Sequence, residues 1–299
     1  MSEPARCGTV ALVGRPNAGK STLLNTVLGA KVAITSSKPQ TTRHRILGVL
    51  TRPGGQIVFV DTPGVHRPHY RMNRRMMDAT RAVLHDVDLV ALLVDVTESP
   101  GAGLQYSLEL VGQVRAPKFL LLNKIDRIAK GKLLPMIAAY GEKGDWAEVI
   151  PISALTGDNC ERFVEVALRC LPEGPPLYPE DALTDRSERF LTAELVREQV
   201  LHRTRDELPY TTAVTIDTWE EPEAPGDAVR IFATILVEAE SQKPIVIGKG
   251  GRMLKGIGTA ARTEIEKLLG RRVYLDLHVK VRSGWREDAS LLDRLEIEG

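Results

Sequence analysis

The segment Gly14-Arg15-Pro16-Asn17-Ala18-Gly19-Lys20-Ser21 follows the apolar run "TVALV" directly and leads into "STLLNTVLG", a run of good helix formers. A strand, a glycine-rich turn and a helix in that order constrain the fold more than any other stretch of the chain. The pattern GxxxxGK[ST] needs its glycines because the backbone must come close to phosphate oxygens with several N–H groups turned inward. The start of the following helix adds further donors and a favourable dipole. The spacing gives each residue a task. The backbone from Gly14 through Asn17, Ala18 and Gly19 cradles phosphates, Lys20 reaches the β and γ phosphates, and Ser21 ligates Mg²⁺ with Thr22 beside it.

The rest of the first half fits such a cradle. Six short apolar runs, "TVALVG", "RILGVLT", "QIVFVDT", "DLVALLVDV", "KFLLLNK" and "AEVIPIS", alternate with helix-like segments up to about Leu171. Several are continuously apolar, as in strands covered on both faces, so an α/β domain with a mostly parallel sheet is expected. From Leu171 to Pro179, "LPEGPPLYP" holds four prolines in nine residues, which cannot continue a helix and reads as a semi-rigid extended connector. This divides the chain into a nucleotide domain at 1–175, a linker at 176–185 and a second domain at 186–299. In the second domain an amphipathic helix is expected from Ser187 to Glu207. Two strands follow, "YTTAVTIDTWEE" and "DAVRIFATILVEAE", then a short helix into "GKGG", a helix from about Arg252 to Leu269, and a strand "RVYLDLHVKV". The order is α-β-β-α-α-β, an α+β arrangement.

Composition excludes several classes of protein. The 299 residues are 43% apolar, enough to form a core in each of two domains. The longest strongly apolar run, Val87 to Val96, contains Asp88 and Asp95 and is about half the length of a membrane span. The N-terminus has neither a basic start nor an apolar core region, so no secretory signal is read and a cytoplasmic location is expected. Cys7, Cys160 and Cys170 form no CxxC pair and are read as reduced thiols. A net charge of +1 conceals a segregation: residues 206–240 carry nine acids and one base, whereas 243–286 carry eleven bases and three acids. The basic segment is a candidate polyanion footprint, and its plain alternative is a solvated helix face.

Three further motifs lie at strand ends. "DTPG" at 61–64 places Asp61 to hold Mg²⁺ through water and the Gly64 N–H to face a γ-phosphate. "NKID" at 123–126 supplies Asn123, Lys124 and Asp126, and the Asp126 carboxylate can accept from both N1–H and the 2-amino group of guanine, which adenine cannot match. "SAL", Ser153 to Leu155, offers the Ala154 N–H to guanine O6. Four elements in order, each at the carboxyl end of a strand, specify a GTPase.

The first domain resembles a translation-factor-class Ras-like GTPase, and "SSKPQTTRHRILGVLT" at 36–51 resembles the switch I region of the Era family. The resemblance implies a Mg²⁺-ligating threonine there. Thr41 and Thr42 both compete for the role, with Thr42 preferred. The position after DxxG, where a glutamine would orient the attacking water, is Val65. The resemblance implies compensation by K⁺ near Asn17, with Asn17, Lys20, Thr42 and Gly64 forming the catalytic set. His66 and His69 are assigned no role.

"VIGKGG" at 246–251 lies between two helices, with Lys243, Lys249, Arg252, Lys255 and Arg262 around it. The arrangement resembles a type II KH domain, whose GxxG loop lets single-stranded RNA pass close to the backbone. Gly248, Gly250 and Gly251 with Lys243, Lys249 and Arg252 are the expected phosphate contacts, and Ile245 and Ile247 the candidate base-groove residues. Trp285 is either a packing anchor, the preferred reading, or a base-stacking platform. A GTPase joined to a C-terminal type II KH domain is the arrangement of the Era family, and the likeness covers almost the whole chain. It implies GTP/GDP and Mg²⁺ as ligands. It also implies, as partners, the 3′ end of 16S ribosomal RNA and the immature 30S subunit, and a peripheral inner-membrane association for which the sequence offers no anchor. No DNA partner is expected, and nothing demands more than a monomer. The competing reading is a metabolic NTPase with a structural cap, which a filled KH groove would favour.

Overall fold

The computed structural model of the chain describes residues 5–65, 70–205, 208–224 and 226–297. His66 and His69 lie outside them. The first half is a six-stranded sheet with strand order β2-β3-β1-β4-β5-β6, formed by β1 (Arg6–Gly14), β2 (Ile46–Arg52), β3 (Gly55–Asp61), β4 (Leu89–Asp95), β5 (Lys118–Asn123) and β6 (Glu148–Ile152). All pairs are parallel except the β2–β3 hairpin at one edge. The apolar runs are continuous because both faces are covered. Val10 and Leu12 pack with residues of α1 (Lys20–Leu28) and α5 (Cys160–Cys170). Ala11 and Val13 point the other way, toward α2 (Arg71–Asp86), α3 (Ala102–Gly112) and α4 (Leu133–Gly141).

The proline-rich connector is extended, as expected, and is also pinned to the first sheet. Gln56, fully buried in β3, accepts at Oε1 from the backbone N–H groups of Leu177 (2.8 Å) and Tyr178 (2.9 Å). Its Nε2 donates to the Tyr178 carbonyl at 2.9 Å, and Val49 N–H donates to the Leu183 carbonyl at 2.9 Å. One glutamine thus occupies the backbone groups of a segment whose prolines prevent it from pairing as a strand.

The second half contains α6 (Glu188–Arg203), α7 (Leu208–Thr211), β7 (Ala213–Glu220), β8 (Val229–Val237), α8 (Lys243–Ile247), α9 (Arg252–Leu269), β9 (Val273–Val281) and α10 (Ala289–Arg294). The sheet order is β7-β8-β9, with β8 and β9 parallel because α8 and α9 make the crossover between them. The expected α-β-β-α-α-β order is present, with one boundary corrected. The helix expected to reach Glu207 ends at Arg203, where Thr204 is extended and its hydroxyl donates back to the Val200 carbonyl at 2.7 Å.

A second correction concerns the character of α6, which is buried on its polar side as well as its apolar side. Glu194, Arg197, Glu198 and Gln199 are all buried, because that face packs on the loop before β2. Trp285 is fully buried and donates from Nε1 to the Thr211 carbonyl at 2.9 Å, so it is a packing anchor and not a base platform. It clusters with Met72 and Met76 of α2 and with Leu291, Leu292 and Ile297, an apolar seam joining the two halves.

Candidate functional site

The loops at the carboxyl ends of β1, β3, β5 and β6 enclose a cavity of about 370 Å³. Asn17, Gly19, Lys20, Ser21, Thr22, Thr42, Gly64, Asn123, Lys124, Asp126, Ala154 and Leu155 line it, so most sequence-expected nucleotide residues meet in one place. Gly14, Ala18, Asp61 and Ser153 stand behind the lining. The Gly14 carbonyl accepts from Lys20 Nζ at 3.1 Å and the Ala18 carbonyl from Asn123 Nδ2 at 2.7 Å. Gly19 is required here for two reasons: its φ is +99°, and a Cβ would stand 2.2 Å from Asn123 Nδ2.

At one end of the cavity three oxygen donors converge. Ser21 Oγ donates to Asp61 Oδ2 at 2.6 Å and lies 2.7 Å from Thr42 Oγ1, which is itself 3.5 Å from Asp61 Oδ2. Thr41 turns away, its hydroxyl donating to the Lys38 carbonyl at 2.6 Å. Burial pushes the Asp61 carboxyl up to about 6, against the opposing pull of Lys20, Ser21 and Thr42. Its Oδ1 is buried without a hydrogen-bond partner. A buried carboxylate with an unmatched oxygen beside two hydroxyls suits a hard cation that takes its remaining ligands from phosphate and water, which is the habit of Mg²⁺. Lys20, buried alongside, is pulled below its ordinary value by burial, with Asp61 opposing.

At the other end, Ser153 Oγ donates to Asp126 Oδ1 at 2.6 Å and orients that carboxylate. Asn123 Oδ1 accepts from the N–H groups of Lys124 (2.8 Å) and Ala154 (2.9 Å), tying the β5 and β6 loops together. Sequence reasoning missed Asp95, whose Oδ2 lies 2.5 Å from Lys124 Nζ. Asp95 ends β4 directly opposite Asn123 in register, a relation that no spacing along the chain reveals. Val65 is buried, with its N–H on the Gly14 carbonyl at 3.0 Å, and its side chain packs in the core. It cannot orient water. Asn17, at φ +65°, donates from Nδ2 to the Ser37 carbonyl at 2.7 Å.

In the second half, α8 stops at Gly248, whose φ is +73° and where a Cβ would meet Met253 Cβ at 2.6 Å. Gly250 and Gly251 have open space around them, and Gly251 caps the 18-residue α9. Lys249 and Arg252 are exposed at this helix start, while Lys243 is half-buried. Ile245 is 50% exposed and Ile247 is half-buried against the domain's core, so the two isoleucines differ in availability.

The charge segregation now has a geometry. Acids of the 206–240 segment pair with Arg271 (Glu221, 2.6 Å) and Arg286 (Glu238, 2.7 Å). Among the described residues, Lys243, Lys249, Arg252, Lys255 and Arg262 around the loop have no ion-pair partner, and they form the basic footprint.

Comparison with known proteins agrees with both halves. The family model "50S ribosome-binding GTPase" matches residues 9–124, and a KH domain model matches 207–286. The GTPase Era of Geobacter metallireducens is 50% identical over 292 residues, covering 98% of each chain. That of Geobacter sp. strain M21 is 49% identical over 299 residues and the whole of both chains. Two solved structures superpose over nearly the full length at 40% identity. One is Era with MgGDPNP and nucleotides 1506–1542 of 16S ribosomal RNA, with a TM-score of 0.95 over 99% of this chain and 100% of that one. The other is an Aquifex aeolicus Era variant bound to GDP and AlF4⁻, with a TM-score of 0.94 over 98% of this chain and 100% of that one.

Proposed function

The chain belongs to the Era family of GTPases, and from that premise we propose that it is a GTP-driven switch whose KH domain grips the single-stranded 3′ end of 16S ribosomal RNA while the 30S subunit is assembled. It converts GTP to GDP and phosphate. The observation that carries this reading is the joint geometry of the 370 Å³ cavity, with a cation-seeking carboxylate at one end and the Ser153-oriented Asp126 at the other.

Asp126 pairs with the guanine edge and Lys124 covers the base, with Asn123 locking both loops. The backbone of Gly14 to Ser21 and the Lys20 ammonium hold the phosphates. Ser21, Thr42 and Asp61 would hold Mg²⁺, which would offset phosphate charge there. Thr42 and Gly64 close over the γ-phosphate, and the loss of that phosphate frees both segments. Val65 is buried and cannot orient water; a K⁺ held beside Asn17 would supply the transition-state charge that is otherwise missing. On the KH side, Gly248 to Arg252 clamps the RNA backbone, with Lys243 supporting and Ile245 and Ile247 at the base groove.

The protein works in the cytoplasm as a monomer on the 30S precursor, with no DNA partner. Among the described residues no helix is long and apolar enough to cross a membrane, so any association with the inner membrane is peripheral. The test is binding of a short RNA copied from the 16S 3′ end, with GDPNP or GDP loaded, to intact protein and to Lys249→Asp/Gly250→Asp. The reading requires binding that depends on the loop. Equal affinity of parent and variant would remove the KH domain as the RNA reader.

A further inference from the structure

We infer that Arg197, on helix α6 of the RNA-binding domain, is a positioning residue for GTP hydrolysis: its guanidinium holds the Thr41 carbonyl and thereby fixes Thr42 at the metal end of the nucleotide site. This rests on the reading of Thr42 as a Mg²⁺ ligand. It extends that reading by assigning part of the GTPase centre to the other domain.

Residues 31–45, between α1 and β2, contain no helix or strand. The first domain ties them at Val32 and Ala33 through Asn25 and at Ser37 through Asn17. The second domain adds anchors of its own. Ile34 is buried in the apolar cluster formed by Leu195, Val196, Val200 and the second sheet. One residue on, the Thr35 N–H donates to Glu198 Oε1 at 2.9 Å, and the Thr35 carbonyl lies 2.9 Å from His202 Nε2. Glu198 also accepts from Lys31 Nζ at 2.6 Å. At the far end, Arg186 donates to the Arg45 carbonyl and Arg43 Nη1 donates to the Thr212 carbonyl at 2.7 Å.

Between these anchors, Arg197 Nη2 donates to the Thr41 carbonyl, on the backbone next to Thr42. Arg197 is 2% exposed and is aimed by Glu194, which accepts from Nε at 2.7 Å and from Nη2 at 2.5 Å. The Thr41 hydroxyl donates to the Lys38 carbonyl at 2.6 Å, a second tie on the same residue. From that backbone, Thr42 Oγ1 reaches to 2.7 Å from Ser21 Oγ.

A buried Arg–Glu pair stabilises a fold no better than well-packed apolar residues do. What arginine adds here is a rigid, charged donor that reaches a carbonyl while still paired with its carboxylate. The consequence is selective. GDP makes no use of Thr42, so losing Arg197 weakens binding and turnover of the triphosphate and leaves the diphosphate untouched. A purely structural role would lower both together.

The test uses full-length protein and the ratio of GDPNP to GDP affinity, with kcat alongside. Four variants are compared: Glu194→Gln/Arg197→Met, which leaves neither charge buried alone; Arg197→Lys, which keeps the pair but loses the fork; Thr42→Ala; and the double variant with Thr42→Ala added. The double variant is expected to lower the ratio and kcat roughly tenfold, the usual effect of losing a hydrogen bond to a charged group. GDP affinity should hold at its parent value. Arg197→Lys should fall between, and should decide the matter if the double variant unfolds. Adding Thr42→Ala to the double variant should lower the ratio little further, since both act on one ligand. A folded double variant, or Arg197→Lys, with a parental ratio while Thr42→Ala shifts it overturns the inference. A parental ratio in Thr42→Ala overturns the reading of Thr42, and the inference with it.

Discussion

Lys124 Nζ lies 2.5 Å from Asp95 Oδ2, so the lysine of the base-recognition loop is held by an acid from the adjacent strand and not by its own loop. Thr97 donates to the same carboxylate from its N–H (2.9 Å) and its hydroxyl (2.6 Å), to Oδ1. Burial pushes the Asp95 carboxyl up, but Lys124 and Thr97 outweigh it and hold it below its ordinary value. Asp95→Asn should therefore loosen Lys124 and weaken GDP and GTP binding equally, by about 1–2 kcal/mol. Titration with both nucleotides checks this, and a change in one nucleotide only would contradict it.

Asp126 lines the cavity with its carboxylate directed by Ser153 at 2.6 Å, and in the proposed reading it accepts from the guanine edge. Replacing it with Asn exchanges one acceptor for a donor. That mismatches the 2-amino group of guanine and matches the 2-oxo group of xanthine. Asp126→Asn should lower GTP affinity by at least about a hundredfold and raise xanthosine triphosphate affinity above it. Competition between the two triphosphates measures the exchange directly.

His44 predicts a pH dependence of stability. Burial pulls its imidazole down from 6.5 to about 4, with Arg197 and Arg186 adding to that effect and Glu194 and the Glu296 carbonyl opposing it. The ring sits edge-on to Phe190, with Glu194 Oε1 3.9 Å away. Because the folded value is depressed, the unfolded chain takes up the proton first. The residue has no effect above about pH 6.5, and it lowers stability as pH falls from there toward about 4, by about 3 kcal/mol in total. Denaturant titrations of the parent and His44→Asn across that range should diverge by this amount. Parallel curves would mean that the ring is protonated in the folded state.

Much of this was legible in the sequence, and the reason shows in particular residues. The unbroken apolar run Val10–Val13 is a local property, and so is the glycine at 270 that ends α9 where the sequence reading placed it. The strand-end motifs could be assigned together because a parallel sheet brings every carboxyl end to one edge. Asp95, Gln56 and Arg197 were not legible, since each acts on a residue that only the tertiary fold brings close. The burial of the polar face of α6 was not legible in its amphipathic pattern, because charges that suit water suit an opposing backbone equally well. Trp285 could not be settled from its arginine neighbours, of which Arg286 is committed to Glu238 at 2.7 Å.

Val65 is buried in the core, so its side chain cannot orient an attacking water. If K⁺ beside Asn17 fills the role, hydrolysis should slow at least about tenfold when Na⁺ replaces K⁺ at equal ionic strength. Asn17→Ala should abolish the difference. Equal rates in the two salts with the parent protein would remove the ion from the mechanism.

In the proposed reading the nucleotide cavity and the GKGG surface are two sites of one switch, joined through the loop that α6 holds. Coupling between two binding equilibria is reciprocal. The measurement that tests it most directly is GDPNP affinity with and without a saturating 16S 3′-end RNA, at one fixed salt concentration because phosphate contacts are salt-dependent. Bound RNA should raise the ratio of GDPNP to GDP affinity by the same factor by which exchanging GDP for GDPNP tightens RNA. GDPNP and GDP affinities that are both unmoved by bound RNA would contradict it, leaving a GTPase and an RNA clamp that share a chain but not a switch.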